Sequence, residues 1–396
     1  MRREPKKAAR TRGPANTPAR GTLAGSVRDG GPVFGRTWKI ATIGGIPISV
    51  DASWFLLGVL ILYSMAVTYG DKLGSGTALA IGAFGAVLFM GSILGHELAH
   101  AVVARLRKLP VSGIRLFMFG GATYIRGEDS PGDEFLTTVV GPLTSVAIGL
   151  ALLAASTIHG LGGPIHDVTR YVGALNVFLG VANLVPGFPL DGGRILHAAI
   201  WKLTGSEGRA TTIAAWTGIV VWGAAIAYGV IRLSGDDFGF GLWIVLVGSM
   251  MLQGARATLQ RQKVFKVLER GTVAEAMGAP PEAIPAGTSL SEAYDRFLRG
   301  HEHETFPVTD DFDRMIGVLT FESASAIGRD EPLRPVRDAM LPAGEIVTVG
   351  LDDRLDQVVN RMANTRLPAV VMQDGRIVGQ IALPDIDRWL RGRILR

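Results

Sequence analysis

Long uncharged stretches alternate with short charged segments over the first two thirds of the chain. Residues 73–95 contain no charged side chain, and a helix of this length would extend about 35 Å, enough to cross a bilayer. Five other stretches have the same character, so the pattern predicts six membrane-spanning helices. The other predicted spans are 52–70, 135–166 together with an outer loop, 171–190, 210–231 and 238–255.

A segment between the second and third predicted spans has a different pattern. Residues 109–127 alternate between apolar and polar side chains and carry a glycine pair, Gly120-Gly121. Alternation with a period of two favours strands and adjacent glycines favour a turn, so we predict a membrane-associated β-hairpin. Residues 38–53 show short β-type runs and are predicted to form an extended lead-in to the first span.

From about residue 261 the chain has the pattern of a soluble domain and repeats itself at an offset near 62 residues. Residues 272–277 (TVAEAM) correspond to residues 335–340 (PVRDAM). Each copy combines a helical stretch with two short strands, which predicts a pseudo-symmetric α/β pair. The expected domains are a tail at 1–36, a membrane domain at 37–260, and an α/β pair at 261–396 with copies at about 270–328 and 333–392.

Composition supports this division. Hydrophobic residues make up 48% of the 396 positions and charged residues only 19%, which is typical of a polytopic α-helical membrane protein with a soluble part. The chain has no cysteine, which excludes disulfides, thiolate metal ligands and cysteine nucleophiles. Any metal ion must therefore be held by His, Asp or Glu side chains.

The positive charge is concentrated at the N-terminus. Residues 1–36 hold nine Lys and Arg against two acidic residues, a net charge of +7. Since the whole chain carries +5, the remainder carries −2, and we expect no nucleic-acid partner. The tail lacks an apolar segment and is predicted to be disordered.

Basic residues also distinguish the loops. They cluster between spans two and three, between spans four and five, and after span six, whereas the alternate loops hold only Lys72, Arg170 and Arg232. By the positive-inside rule, both termini of this multi-pass cell-membrane protein are expected in the cytosol.

The second span carries the sequence His96-Glu97-Leu98-Ala99-His100. Residues four apart lie on one face of a helix, so two imidazoles at this spacing can share one zinc ion, with Glu97 beside them as a general base. A match this short also occurs by chance. Its position at the end of a membrane span favours function, because buried charged and polar groups are costly there.

Catalytic zinc commonly takes three protein ligands. The best candidate for the third is Asp191, in the segment 183–194 (NLVPGFPLDGGR), where prolines and glycines are expected to break the fourth helix. Spans two and four run in the same direction, so Asp191 and the two histidines are expected at similar depths. The alternative is that Asp191 simply caps a helix.

These two motifs together resemble those of the site-2 protease family of intramembrane zinc metalloproteases. The resemblance covers roughly residues 38–392, and it is greatest for the subgroup with six spans and a C-terminal pair of CBS domains, as in peptidases that process sporulation sigma factors. It implies one zinc ion bound by His96, His100 and Asp191, with Glu97 as the catalytic acid/base and Asn183 holding the substrate carbonyl.

The resemblance implies cleavage of membrane-spanning proteins by regulated intramembrane proteolysis. Expected substrates are single-pass or hairpin membrane proteins, such as anti-sigma factors or membrane-tethered transcription factors. Two alternatives remain: a membrane transporter regulated by the CBS pair, and an inactive membrane scaffold. A transporter has no need of a glutamate between two histidines at this spacing.

CBS pairs often bind adenine nucleotides, and a ribose-contacting acid usually follows the second strand. Asp385 fits this position in the second copy, whereas Ser323 occupies it in the first. At most one ordinary nucleotide site is therefore expected, and the alternative is a purely structural or homodimerising role for the pair.

Two further positions carry weaker signals. Gly141-Pro142 in the third span resembles another element of the family and is interpreted as a close-packing position. His197 follows Asp191 by six residues and is interpreted as a helix-surface residue rather than one that faces a cavity.

Overall fold

The computed structural model describes residues 37–394 except 119, 126, 129, 158–162, 236, 280–281, 300–304, 313 and 363–366. The predicted basic tail at 1–36 lies outside the described residues. The described chain forms two compact units, one within residues 32–267 and one within residues 268–396.

The first unit is mostly helical. Its helices are α1 (Ala52–Leu73), α2 (Ser75–Leu106), α3 (Pro131–Ser156), α4 (Pro164–Asn183), α5 (Asp191–Thr204), α6 (Glu207–Leu233) and α7 (Phe238–Arg270). In the described part of the chain, five of them are long and apolar enough to cross a membrane, namely α1, α2, α3, α6 and α7. The expectation of a polytopic helical membrane protein is confirmed.

The predicted bounds of the fourth span, 171–190, are wrong. Helix α4 covers Pro164–Asn183, seven residues earlier, because Pro186 and Pro189 cannot continue a helix and Gly187 adopts a positive φ. With Asp167 and Arg170 near its start, α4 does not count among the five apolar helices, although its 20 residues extend about 30 Å.

The predicted spans 52–70 and 73–95 leave Asp71 and Lys72 as a short loop between them, and this expectation is also wrong. Helix α1 continues through both residues to Leu73, and only Gly74, with a φ of 79°, separates it from α2. Helix α2 runs 11 residues beyond Gly95, to Leu106. The His-Glu-His motif consequently lies inside the helix rather than at its end.

Four strands form a sheet beside these helices. They are β1 (Thr37–Ile43), β2 (Ile46–Asp51), β3 (Val111–Phe117) and β4 (Gly120–Ile125), in the order β1-β2-β3-β4. The predicted hairpin is confirmed, since β3 and β4 pair antiparallel, but its turn precedes Gly120, which is already the first residue of β4. The predicted extended lead-in at 38–53 also contains a hairpin, formed by β1 and β2. Strand β2 pairs parallel with β3.

An apolar core joins the sheet to the helices. Ile48 of β2 and Ile114 of β3 are fully buried and belong to one cluster with Phe89 of α2. Asp51, also fully buried, accepts hydrogen bonds from the Ser53 amide and from Arg115. Burial opposes ionisation of Asp51, but these bonds outweigh it and hold the pKa of Asp51 below its usual value.

The second unit contains two sheets of related topology. Its helices are α8 (Val273–Ala276), α9 (Leu290–Ala293), α10 (Phe321–Gly328), α11 (Leu355–Met362) and α12 (Leu383–Ile394). Its strands are β5 (Ile284–Pro285), β6 (Thr305–Thr309), β7 (Met315–Thr320), β8 (Leu341–Pro342), β9 (Thr348–Val349), β10 (Ala369–Gln373) and β11 (Arg376–Ile381). In each copy a short strand pairs parallel with the next strand, which then pairs antiparallel with its successor. The predicted α/β repeat is confirmed.

Candidate metal centre

His96 and His100 from α2 meet Asp191, the first residue of α5. The Nε2 atoms of His96 and His100 lie 3.1 and 3.5 Å from Oδ2 of Asp191, and one ligand atom from each residue lies within 4.8 Å of the others. Ligand atoms around a tetrahedral zinc ion are separated by about 3.4 Å, given bonds of about 2.0–2.1 Å. Two imidazoles and one carboxylate at these distances therefore fit a zinc ion.

Hydrogen bonds at the far side of each imidazole orient the cluster. The Nδ1 atom of His100 lies 2.6 Å from the carbonyl oxygen of Thr137, and Nδ1 of His96 lies 2.8 Å from Oγ of Ser145. A carbonyl oxygen only accepts, so Nδ1 of His100 donates, and the neutral ring presents a lone pair at Nε2. That lone pair faces a carboxylate oxygen, an arrangement that a cation between the two atoms stabilises.

Gly141 of α3 lines the same space. A Cβ atom at this position would lie 2.2 Å from Nε2 of His100 and 2.7 Å from Nε2 of His96, far inside contact distance. Glycine is therefore required here because a side chain would occupy the volume between the two nitrogens. Gly141 is thus a close-packing position, and the groups that pack against it are the imidazoles of His96 and His100.

Two glycines bring Asp191 to the histidines. A Cβ at Gly192 would lie 2.3 Å from the carbonyl oxygen of Val185, and one at Gly193 would lie 2.4 Å from the backbone of Gly187. The segment that follows α4 therefore packs directly on the first turn of α5. Asp191 is the first residue inside this helix, whose N-cap is Leu190, so Asp191 is not itself the N-cap.

Strand β4 covers Glu97. The Glu97 side chain is buried, and its Oε2 lies 2.7 Å from Oγ1 of Thr123, which donates a hydrogen bond to it. Gly121, on the same face of β4, leaves room for the carboxylate, since a Cβ there would lie 2.4 Å from Cγ of Glu97. One carboxylate oxygen is thereby fixed, while Oε1 receives no hydrogen bond from Thr123.

Replacing Thr123 by valine is expected to reduce kcat of any Glu97-dependent reaction about 10–150-fold, because a hydrogen bond to a charged group contributes about 1.5–3 kcal/mol. Thr123→Ser keeps the hydroxyl and should retain most of the activity. Cleavage kinetics and zinc content of both variants in detergent test this expectation. An equal loss in Thr123→Ser, or loss of zinc in Thr123→Val, would contradict it.

The other two predicted site residues lie elsewhere. Asn183 is the last residue of α4 and is half-buried, and no hydrogen bond in the described part of the chain joins it to the His-His-Asp cluster. Asp385 lies in the first turn of α12, where its carboxylate accepts hydrogen bonds from the Ala382 amide at 3.0 Å and from Arg388.

The interpretation of His197 as a helix-surface residue is wrong. His197 is buried, with Nδ1 2.6 Å from Oε2 of Glu134 on α3 and Nε2 3.0 Å from Oγ1 of Thr211 on α6. The apolar rings of Phe188 and Trp201 flank its imidazole. A weak signal for this contact is the charged pair Asp133-Glu134, directly before the third predicted span.

Two family models match the chain, and several known proteins are similar to it. Residues 84–171 and 160–225 match peptidase family M50, and residues 273–324 and 336–392 match the CBS domain. Rip3 of Mycobacterium tuberculosis, which bears the provisional name of a zinc metalloprotease, is 30% identical over 361 residues, or 89% of this chain and 92% of its own. The zinc metalloprotease MJ0392 of Methanocaldococcus jannaschii is 26% identical over 88% of this chain and 95% of its own.

A solved structure is also similar. The site-2 protease from Methanocaldococcus jannaschii is 26% identical, covers 56% of this chain and 95% of its own, and superposes with a TM-score of 0.42.

A His-His-Asp cluster with both histidines buried, beside a buried glutamate and in a unit with helices long and apolar enough to cross a membrane, defines the class of membrane metallopeptidases. Within that class, the chain belongs to peptidase family M50, the site-2 protease family, and it carries a pair of CBS domains. The resemblance drawn from the two sequence motifs is confirmed.

Proposed function

We propose that this chain is a zinc endopeptidase that cleaves membrane-spanning proteins within the bilayer. The observation that carries the proposal is the convergence of His96, His100 and Asp191, three donors of the type zinc prefers, beside the buried carboxylate of Glu97. A zinc ion held by these three residues would supply Lewis acidity and lower the pKa of a coordinated water toward about 7.

Glu97 then acts as the proton carrier. With Oε2 held by Thr123, the carboxylate has one oxygen available to accept a proton from the attacking water and to deliver it to the leaving amide nitrogen. Burial under β4 keeps bulk water away from the carboxylate, so that the proton is retained between the two transfers. Asn183 is proposed to hold the substrate carbonyl.

The open edge of the sheet is the proposed docking site for substrate. Helical peptide bonds shield their carbonyl groups, so a membrane-spanning substrate must unwind before cleavage. In the described part of the sheet, β4 pairs with β3 on one side only, and its residues Gly121 and Thr123 lie against Glu97. An extended substrate segment that pairs with this edge would pass close to the carboxylate.

The substrates are proposed to be single-pass or hairpin membrane proteins, such as anti-sigma factors or membrane-tethered transcription factors. The distribution of Lys and Arg among the loops supports a topology with both termini in the cytosol. In this topology the domains released from such substrates would enter the cytosol, which suits regulated intramembrane proteolysis. The CBS pair is proposed to form a homodimer.

The proposed function predicts that purified wild-type protein contains one zinc ion per chain and cleaves a single-span model substrate in detergent. Asp191→Ala removes one ligand and should reduce zinc content at least tenfold and abolish cleavage. Elemental analysis and fragment mass spectrometry provide the two measurements. Zinc binding without cleavage of any tested membrane substrate would favour a scaffold, and zinc content unchanged in Asp191→Ala would refute the ligand set.

We further propose that the CBS pair binds one adenine nucleotide through Asp385, which lies in the first turn of α12, directly after β11. Calorimetry of the full chain with ATP and AMP is expected to detect one site, and Asp385→Ala should weaken it about tenfold or more. Asp387→Asn is the matched control, because Asp387 lies on the same helix and pairs with Arg391 at its exposed surface. Absence of heat with either nucleotide would leave a structural role for the pair.

A further inference from the structure

A second polar cluster lies beside the metal centre and involves none of its ligands. It consists of Glu128, which precedes α3, Glu134 on α3, and Arg194 and His197 on α5. The side chains of Glu134 and His197 are only 9% and 7% exposed. Burying charged groups costs free energy, so a buried cluster in a membrane protein calls for a specific role.

The cluster attaches the helix of Asp191 to α3. His197 contacts one oxygen of Glu134 at 2.6 Å, and Nε of Arg194 lies 3.6 Å from the other oxygen. Arg194 and His197 follow Asp191 by three and six residues, so both contacts act within two turns of it. On the opposite side of the imidazole, Nε2 of His197 lies 3.0 Å from Oγ1 of Thr211 on α6 and forms a hydrogen bond with it.

The same cluster reaches His100 by a second route. Arg194 forms an ion pair with Glu128, and the other oxygen of Glu128 accepts a hydrogen bond of 2.7 Å from Oγ1 of Thr137. The carbonyl oxygen of Thr137 in turn accepts the hydrogen bond from Nδ1 of His100. One continuous set of contacts thus connects His100 on α2 with the helix that carries Asp191.

The position of Asp191 needs such a connection. Helix α5 has only 14 residues, and the irregular segment 184–190 separates it from α4, so no continuous helix fixes its first turn. Metal ligands must be held within about 0.5 Å of the productive geometry to bind tightly.

We propose that Glu134, His197, Arg194 and Glu128 are positioning residues that clamp α5 to α3 and so set the distance between Asp191 and His100. This inference rests on the proposed zinc ligands. It extends the site to residues that touch neither the ion nor the substrate.

The experiment measures the zinc dissociation constant of the full chain in detergent by competition with a chelator. His197→Phe keeps a ring of similar size but removes both hydrogen bonds, and Glu134→Gln keeps the shape of the side chain but removes its charge. Both variants are expected to bind zinc about 10–100-fold more weakly, as is usual when groups that orient metal ligands are lost. Melting temperatures in EDTA should remain within a few degrees of that of the wild type.

The control is Asp133→Asn, next to Glu134 on α3. Asp133 pairs with Arg107 of the segment after α2 rather than with α5, so zinc affinity should not change.

Arg194→Lys should retain more zinc affinity than Arg194→Gln. The effects of Arg194→Gln and Glu134→Gln on zinc affinity should not add, because both substitutions break the same clamp. If Glu134→Gln cannot be purified, His197→Phe decides the question.

Four outcomes would overturn the proposal. Wild-type affinity in His197→Phe and Glu134→Gln, with zinc lost in Asp191→Ala, would reject the clamp and keep the ligand set. If Asp133→Asn weakens zinc binding equally, the effect is not specific to the clamp. If the loss of zinc affinity accompanies a fall in the melting temperature in EDTA, the residues have a general structural role. Wild-type affinity in Asp191→Ala would reject the ligand set, and the clamp with it.

Discussion

Glu97→Gln is expected to abolish peptide-bond cleavage while the protein retains its zinc. The amide has the size of the carboxylate and its oxygen can still accept the hydrogen bond from Thr123, but it cannot take a proton from water. Loss of a general base typically costs about 10²–10⁴-fold in rate, so cleavage should fall below detection in most assays. The measurements are single-turnover cleavage of a model membrane substrate and elemental zinc analysis of the same preparation.

Glu207→Gln serves as the control for this substitution. Glu207 is exposed in the first turn of α6, so its loss should change neither cleavage nor zinc content. Cleavage by Glu97→Gln at more than about one tenth of the wild-type rate would exclude Glu97 as the proton carrier. Loss of zinc in Glu97→Gln would show instead that the carboxylate contributes to the metal site.

Gly141→Ala is expected to eliminate zinc binding, although alanine adds only one methyl group. The added Cβ would lie 2.2 Å from Nε2 of His100, so both imidazoles must rotate away from the space they share with Asp191. Alanine is favoured over glycine inside a helix by about 1 kcal/mol, so a weaker helix cannot account for the loss. Zinc content should fall at least tenfold, and cleavage should disappear with it.

Gly91→Ala is the matched control, because Gly91 lies on α2, five residues before His96, and apart from its chain neighbours and the local helix backbone no atom of the described residues lies within 4 Å of the Cβ it would gain. This variant should keep full zinc content and activity. The melting temperature of Gly141→Ala in EDTA should remain close to that of the wild type. If Gly141→Ala binds zinc at one equivalent, the proposed ion does not occupy the space between the two histidines.

Local spacing explains why part of the site could be predicted from the sequence. His96 and His100 are four residues apart, and helical geometry alone brings them to one face. Asp191 lies 91 residues after His100, and it could be associated with the histidines only through the glycine- and proline-rich motif around it. The structure brings these three residues together.

Contacts that depend on packing between distant elements could not be predicted in this way. Thr123 reaches Glu97 only because β4 lies against α2, and a lone threonine in an alternating segment carries no sign of that contact. His197 looked like a surface residue because its partners, Glu134 and Thr211, belong to two other helices. The role of Gly141 follows from a distance to two imidazoles that no local pattern encodes.

Helix existence was easier to predict than helix bounds. Uncharged runs identified the spans, but α2 and α7 continue past the ends of these runs, at Gly95 and Ala255, into charged sequence, since a helix does not end where the membrane does. Conversely, the apolar run 171–190 includes residues that are not helical, because proline and glycine stop α4 at Asn183. Hydropathy indicates whether lipid or water surrounds a segment, whereas residues such as proline and glycine determine where the helix ends.

Zinc K-edge X-ray absorption of the purified wild-type chain tests the central claim most directly. The account predicts about one zinc per chain with two imidazole nitrogens at about 2.0–2.1 Å and oxygen ligands completing a four-coordinate shell. The His96→Ala variant should show a single imidazole or no bound zinc. Absence of stoichiometric zinc, or a coordination shell with no imidazole nitrogen, would contradict the account.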